Sequence, residues 1–406
     1  MTLAPAPGAN PLKTIVIVGA SVAGVAAAEA LRSNGFDGSI ILADASAERP
    51  HDKPALSKEI LTADLDEGDI ELITDERVRD LDIDLLLGEP ATGLDLGSRT
   101  ITLQTQQVRY DGAIIATGAQ ARLPAPLSGL DGVHVIRSLS DARSIAARMR
   151  DDKPKVVVVG GGFIGCEVAA AAAQNGLDAT IIEAFDRVLA RALPPSLAAP
   201  IHRVHTDHGV EILCGKTVAG LVGSQHVSGV RLADSSVVPA DLVVVGVGAT
   251  PCTQWLAGSG LQLDDGVVTD AALRTSAPGV FAAGDIARRR SGPGTVGVRT
   301  EHWTDAREQA RLAARNLVHA ADEAYERPSY IWSDHYGRRL QMQGECGDSV
   351  EFVSGGAPDE PYVALSRRGG VLCGVLAFDD AAGFRRARRL LTNPVTASSA
   401  RATARS

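Results

Sequence analysis

Apolar residues along this chain gather in short unbroken runs bounded by glycine or polar positions. Thr14–Val18 (TIVIV) and Val156–Val159 (VVVV) are β-branched almost throughout, the composition of strands buried on both faces of a parallel sheet. Each run enters a glycine-rich turn and then an alanine-rich segment, "GASVAGVAAAEALR" and "GGGFIGCEVAAAAAQ". The expectation is a strand, a tight turn and a helix, made twice. Beyond about residue 328 the pattern changes to short alternating runs, "SYIWSD", "RLQMQG" and "YVALSRRGGVLCGVLAF". That pattern predicts an antiparallel sheet, followed by a helix from about Asp380.

The two turns carry chemistry. In the first, Gly19, Ser21 and Gly24 hold the three small-residue positions of a G-x-G-x-x-G fingerprint, with serine at the middle one. Small residues let the backbone approach a pyrophosphate, whose charge meets the free N–H groups at the start of the helix. Asp44, at the end of the next apolar run, stands where a ribose hydroxyl would be accepted. The second turn has Gly160, Gly162 and Gly165 in full register, with Ile164 among them, and its next strand ends at Glu183. A carboxylate there binds an adenosine ribose and repels the 2′-phosphate of NADP, so NADH is expected. Arg191 and Arg187 follow but are placed further along. Two dinucleotide sites in one chain suit an enzyme that keeps a flavin dinucleotide and visits a nicotinamide dinucleotide. "YDGAIIATGAQ", with Thr117 and Gly118, and "ADLVVVGVGATP", with Gly248, read as strands returning beneath a nucleotide. Asp285 of "GVFAAGD" suits a flavin ribityl hydroxyl, and equally an ordinary helix cap.

Composition narrows the class. At 406 residues with 45% hydrophobic and 22% charged positions, the chain is long enough for two or three globular domains. A net charge of −9 argues against general nucleic-acid binding. The five cysteines (Cys166, Cys214, Cys252, Cys346, Cys373) show no C-x-x-C and no Cys/His metal spacing, so neither a dithiol centre nor a metal site is expected. No run reaches eighteen apolar residues, and "MTLAPAPGANPL" lacks the parts of a signal peptide; a cytoplasmic protein that does not enter the membrane is the expectation.

In order along the chain, G-x-S-x-x-G, "PALSKEIL", "ATGA", "IRSLSDA", "GGGFIGCEVAA", "GVFAAGD", "EHWTDA" and "IWSDHYGRRLQMQG" resemble the FAD-dependent, NADH-using ferredoxin reductases of bacterial oxygenase systems. These are the putidaredoxin-reductase and biphenyl-dioxygenase-reductase type, with rubredoxin reductases as relatives. The resemblance implies an α/β chain with two Rossmann-like dinucleotide-binding domains of the glutathione-reductase-like kind and an α+β C-terminal domain. The expected boundaries are residues 12–119 with 250–316 for FAD, 120–249 for NAD and 328–395 for the C-terminal domain, with flexible tails at 1–11 and 396–406. It also implies that Ala23, Asp44, Lys53, Ala91, Arg137, Asp285 and Trp303 reach the FAD. Lys58 is implied at the flavin N5 edge, paired with Glu167. The family chemistry is hydride from NADH to FAD, then single electrons to a [2Fe-2S] ferredoxin that serves a cytochrome P450 or a Rieske-type ring-hydroxylating oxygenase.

Some positions depart from the family pattern. His51 stands for an aromatic, Lys53 for an arginine that helps hold FAD, and Cys252 for a frequent asparagine. Because the chain is acidic, docking an acidic ferredoxin calls for a local basic face. Arg288, Arg289 and Arg290, Arg338 and Arg339, and the run "FRRARRLL" are the candidates. The rivals on the same fold are a rubredoxin reductase, an NADH oxidase, or an apoptosis-inducing-factor-like flavoprotein acting by binding. A dithiol reductase is disfavoured, because neither the first helix nor "PALSKE" contains a cysteine.

Overall fold

The computed structural model describes residues 12–62, 67–151, 153–290, 295, 297–356 and 360–392. The expected tails at 1–11 and 396–406 lie outside them. The described chain divides into two compact units. One is drawn from Met1–Asp52, Asp66–Gln120 and Thr250–Arg327, the other from Lys53–Leu65, Ala121–Ala249 and Pro328–Ser406.

The first unit is built on a five-stranded sheet in the order Val280–Ala282, Gly112–Ile115, Thr14–Val18, Ser39–Ala43, Ile83–Leu86, with every neighbouring pair parallel. Side chains alternate across a strand, so Ile15 and Ile17 enter one core with helices Val22–Ser33 and Trp303–His319. Val16 and Val18 enter another, on the opposite face, with Ile101, Leu103 and Leu256. Both faces are covered, which is why this strand has no polar position between its ends. An antiparallel meander, Ala91–Asp95, Thr100–Leu103 and Gln107–Arg109, lies on the second of these faces.

The second unit repeats the plan. Its parallel sheet runs Glu211–Cys214, Ala179–Glu183, Val156–Val159, Leu242–Val245, Val133–His134, with a three-stranded antiparallel sheet, Val218–Gly223, Val227–Leu232 and Val237–Pro239, packed on it. The same unit holds the expected C-terminal antiparallel sheet, in the order Tyr330–His335, Arg338–Gly344, Val371–Phe378, Tyr362–Arg368, Ser349–Ser354. Helix Ala381–Ala387 closes it, capped by Asp380, whose carboxylate accepts from Gly383 N at 2.7 Å. The Tyr362 hydroxyl donates to the Leu197 carbonyl at 3.0 Å, pinning that sheet to helix Pro195–Asp207. Among the described residues, no helix is long and apolar enough to cross a membrane.

Candidate active site

Each parallel sheet ends in the same turn. In the first unit Gly19 has φ +104°, and a Cβ there would stand 2.2 Å from the Ala116 carbonyl oxygen. A Cβ on Gly24 would stand 1.8 Å from Gly19 O, so both positions exclude any side chain. Asp44 closes the turn: its Oδ2 accepts from Ala20 N at 2.5 Å and its Oδ1 from Ser46 N at 2.8 Å. In the second unit Gly160 has φ +107°, and a Cβ on Gly165 would stand 2.0 Å from Gly160 O. Glu183 is buried and closes this turn in the same way, accepting from Gly161 N at 2.6 Å and Phe185 N at 2.8 Å.

The two turns also share an open side. Neither following helix, Val22–Ser33 or Phe163–Gln174, is capped by a side-chain hydrogen bond. Their first N–H groups therefore keep donors for an anion. A Cβ on Gly162 would meet nothing within 4 Å; no neighbour in the protein demands glycine there, whereas close approach of a pyrophosphate does. The residues present thus fit a dinucleotide in each unit. Each carboxylate oxygen accepts one hydrogen bond from the turn and has a second lone pair beyond it. Arg187 turns away, donating to Asp186 and to the carbonyls of Ala190 and Leu193, while Arg191 is exposed. Ile164 is a half-exposed apolar side chain in the first helical turn.

Lys58 and Glu167 come together within the second unit. Lys58 follows the short helix Lys53–Ser57, and its Nζ lies 3.1 Å from Glu167 Oε1, with the lysine side chain 11% and the glutamate 5% exposed. Ser57 Oγ donates to Glu167 Oε2 and Ser333 Oγ to Oε1, each at 2.5 Å. Lys58 also donates to the Pro54 carbonyl at 3.2 Å. Burial pushes the Glu167 carboxyl up, against the pull of the Lys58 ammonium and the two hydroxyls. The arrangement holds one cation between two acceptors, the Glu167 carboxylate and the Pro54 carbonyl, in a nearly dry setting. Close by, His335 is fully buried; burial first, and then the Lys58 charge, hold its imidazole down to about 3. It is neutral, and Lys58 carries the positive charge.

Sequence reasoning missed Ser57 and Ser333. Both sit inside motif segments, "PALSK" and "IWSDHY", but their common partner is 110 and 166 residues away, and no local pattern marks such a contact. It also missed Asp52, whose carboxylate accepts from Trp303 Nε1 at 2.6 Å within the first unit, with Arg307 over the indole. Ala23 is buried where the Gly284 turn approaches: a Cβ on Gly284 would be 3.2 Å from Ala23 Cβ. Asp285 follows at the mouth of strand Val280–Ala282, its carbonyl accepting from Arg299 at 3.3 Å. Ala91 opens its strand, half-buried on the meander. Thr117 and Gly118 bond Cys252 through Thr117 Oγ1 to its carbonyl and Cys252 N to Gly118 O, at 3.1 and 3.0 Å. Gly248 has φ +108°, and its carbonyl accepts from Arg122 N. In the second unit Lys53 Nζ donates to the Arg137 carbonyl at 3.1 Å, joining two residues implied for FAD. His51 is buried and bridges to Glu71.

The basic candidates are largely matched by acids. Arg288 faces Asp264 and Asp265, Arg290 faces Asp264, and Arg289 lies over Tyr325. Arg338 pairs with Asp379, and Arg339, about half exposed, grips Asp334. In "FRRARRLL", Arg385, Arg388 and Arg389 are exposed. All five cysteines are free thiols; Cys166 beside Glu167 is fully buried, and burial raises its pKa far beyond the reactive range. No cluster suited to a metal ion occurs among the described residues.

Comparison with known proteins places the chain in a family. Residues 13–310 match the family model "Pyridine nucleotide-disulphide oxidoreductase", and residues 330–406 match "Reductase C-terminal". The chain is 36% identical over 385 residues to rhodocoxin reductase of Rhodococcus erythropolis, spanning 93% of this chain and 89% of that one. It is 32% identical over 394 residues to the biphenyl dioxygenase system ferredoxin–NAD(+) reductase component of Paraburkholderia xenovorans, spanning 95% of each. Among solved structures, the covalent putidaredoxin reductase–putidaredoxin complex matches with TM-score 0.90 and 31% identity, over 96% of each chain. The ferredoxin reductase for the CYP199A2 system of Rhodopseudomonas palustris matches with TM-score 0.90 and 31% identity, over 96% and 97%.

Proposed function

The chain belongs to the pyridine nucleotide-disulphide oxidoreductase family, among its ferredoxin–NAD(+) reductases, and from that premise we propose that it carries electrons from NADH through bound FAD to a [2Fe-2S] ferredoxin serving a cytochrome P450 or ring-hydroxylating oxygenase. One observation carries the reading: two fingerprint turns, one per unit, each closed by a strand-end carboxylate that accepts hydrogen bonds from the turn backbone.

When bound, FAD supplies a centre that accepts a hydride and gives up electrons singly. The chain's own residues bind and position. In the first unit the Gly19–Gly24 turn would take the FAD pyrophosphate, Asp44 the ribose and Asp285 the ribityl chain. In the second, the Gly160–Gly165 turn would take the NADH pyrophosphate, with Ile164 and Gly248 beside it and Glu183 on the adenosine ribose. A 2′-phosphate there would face Glu183, a like-charge contact costing several kcal/mol. Lys58, held by Glu167, Ser57 and Ser333, is proposed as the cation that favours negative charge on the reduced flavin, an electrostatic role needing no proton transfer. No thiol is needed, in keeping with the buried, unreactive Cys166. We assign FAD to residues 12–119 and 250–316, NAD to 120–249 and the C-terminal domain to 328–395. On this reading the protein works in the cytoplasm, where NADH is produced and thiols stay reduced.

The test is nucleotide preference. The purified protein should carry FAD, and the flavin should be reduced by NADH with a kcat/KM roughly a hundredfold above that for NADPH, the equivalent of about 2.7 kcal/mol. Comparable efficiency with the two would overturn the role of Glu183. A protein that holds no flavin would overturn the whole reading.

A further inference from the structure

Ser333 reaches Glu167 from the outer strand of the C-terminal sheet, because Tyr330–His335 is hydrogen-bonded on one side only, to Arg338–Gly344. Its alternating pattern turns Ile331, Ser333 and His335 inward. What sets the tip of this hairpin is Tyr336. It lies at φ +54°, followed by Gly337 at +76°, a left-handed conformation that a bulky residue rarely takes. The turn would accept asparagine or glycine more readily.

The phenol explains the choice. Tyr336 Oη is 2.9 Å from His205 Nδ1, and its ring stacks on His208 at 3.8 Å between centroids and 12° between planes. His205 is fully buried on helix Pro195–Asp207 and packs edge-on against His335 at 5.3 Å. His208 caps that helix, bonding through Nδ1 to the Val204 carbonyl at 2.7 Å. The hairpin tip is therefore tied to the helix three residues beyond Ser333. Ser333 Oγ and Lys58 Nζ both address the same oxygen, Glu167 Oε1, at 2.5 and 3.1 Å. A carboxylate held by two hydroxyls keeps one orientation, and the ammonium follows it.

We propose that Tyr336, clamped by His205 and His208, is a positioning residue that holds Ser333 on Glu167 and thereby fixes the Lys58 ammonium. The role of that ammonium rests on the flavin reading above; the clamp itself does not.

Tyr336→Asn suits the left-handed turn but loses the phenol, so the fold should survive while the clamp goes. Tyr336→Phe keeps the stack and loses only the hydrogen bond. The midpoint potential of the bound flavin is measured for these variants, for Ser333→Ala, and for Ser333→Ala combined with Tyr336→Asn, with thermal midpoints alongside. The expected result is a tenfold weaker preference for the reduced state in Ser333→Ala and Tyr336→Asn, about 30 mV for a two-electron couple. Tyr336→Phe should show a smaller fall. The double variant should fall no further than Ser333→Ala alone, since both changes act through one contact. A wild-type potential in Tyr336→Asn, or additive falls in the double variant, overturns the proposal. Failure of the wild-type protein to hold flavin overturns the earlier reading instead.

Discussion

Glu167→Gln isolates the electrostatic part of the buried pair. The substitution conserves volume, so no cavity term enters, and the hydroxyls of Ser57 and Ser333 can each turn to donate or accept. What disappears is the negative charge opposite Lys58, whose side chain is only 11% exposed. Removing one partner of a buried ion pair costs about 3 to 5 kcal/mol, because the other charge stays behind in a poor solvent. The slight exposure of Lys58 places the expectation near the lower end, at about 3 kcal/mol. For a unit of roughly 200 residues each kcal/mol moves the midpoint by about 2 to 4 °C, so a fall of about 6 to 12 °C is expected. Both partners belong to one unit, and calorimetry should show the fall in the transition in which that unit unfolds. Lys58→Met combined with Glu167→Gln should recover part of the loss, giving a coupling energy above about 1 kcal/mol in the double-mutant cycle. A midpoint unchanged within 1 °C, or strictly additive single effects, would refute the claim that the pair is a desolvated charge contact.

Other consequences follow from the same geometry. Gly162→Ala places its Cβ in open space; stability should change by less than about 1 kcal/mol while the KM for NADH rises about tenfold. Gly165→Ala drives a Cβ to 2.0 Å from Gly160 O and should cost about 2 to 3 kcal/mol, visible in urea denaturation. His335 is held down to about 3, against 6.5 when unfolded, so its contribution is whole above 6.5 and is lost as pH falls from there toward 3. Between those limits the slope is about 1.4 kcal/mol per pH unit, and His335→Gln should remove it from stability measured between about pH 6 and 4. His205, also held well below its usual range by burial, leaves a second slope in that variant. Docking of ferredoxin is proposed at Arg288–Arg290 and at Arg338 with Arg339, where aspartates share the charge. The apparent ferredoxin KM should rise severalfold between 50 and 300 mM salt as screening tightens, and neutralising Arg288 to Arg290 should weaken that dependence. A salt-independent KM would count against an electrostatic interface.

The sequence made the strand–turn–helix units legible because their causes are local. Gly19, Gly24, Gly160 and Gly165 are glycines for backbone reasons written within a few residues of themselves, and the β-branched runs beside them declare buried parallel strands. Asp44 and Glu183 were legible as strand ends, although their grip on the turn N–H groups was not. The C-terminal sheet was visible in its alternating runs and its helix was expected from about Asp380, although the cap that Asp380 makes was not. What stayed hidden was made by long-range packing. Ser57 and Ser333 meet on Glu167 across more than a hundred residues, and the Tyr336 clamp joins helix Pro195–Asp207 to a hairpin 131 residues away. A basic run likewise says nothing about whether its arginines are already met, as Arg288 and Arg290 are by Asp264.

Electron delivery itself is the most direct test of the proposed function. NADH-driven reduction of cytochrome c is followed with and without a [2Fe-2S] ferredoxin from an oxygenase system. The expected result is a slow basal rate that rises at least tenfold and saturates with ferredoxin. A rate that no such ferredoxin raises, despite bound FAD that NADH reduces, would contradict it.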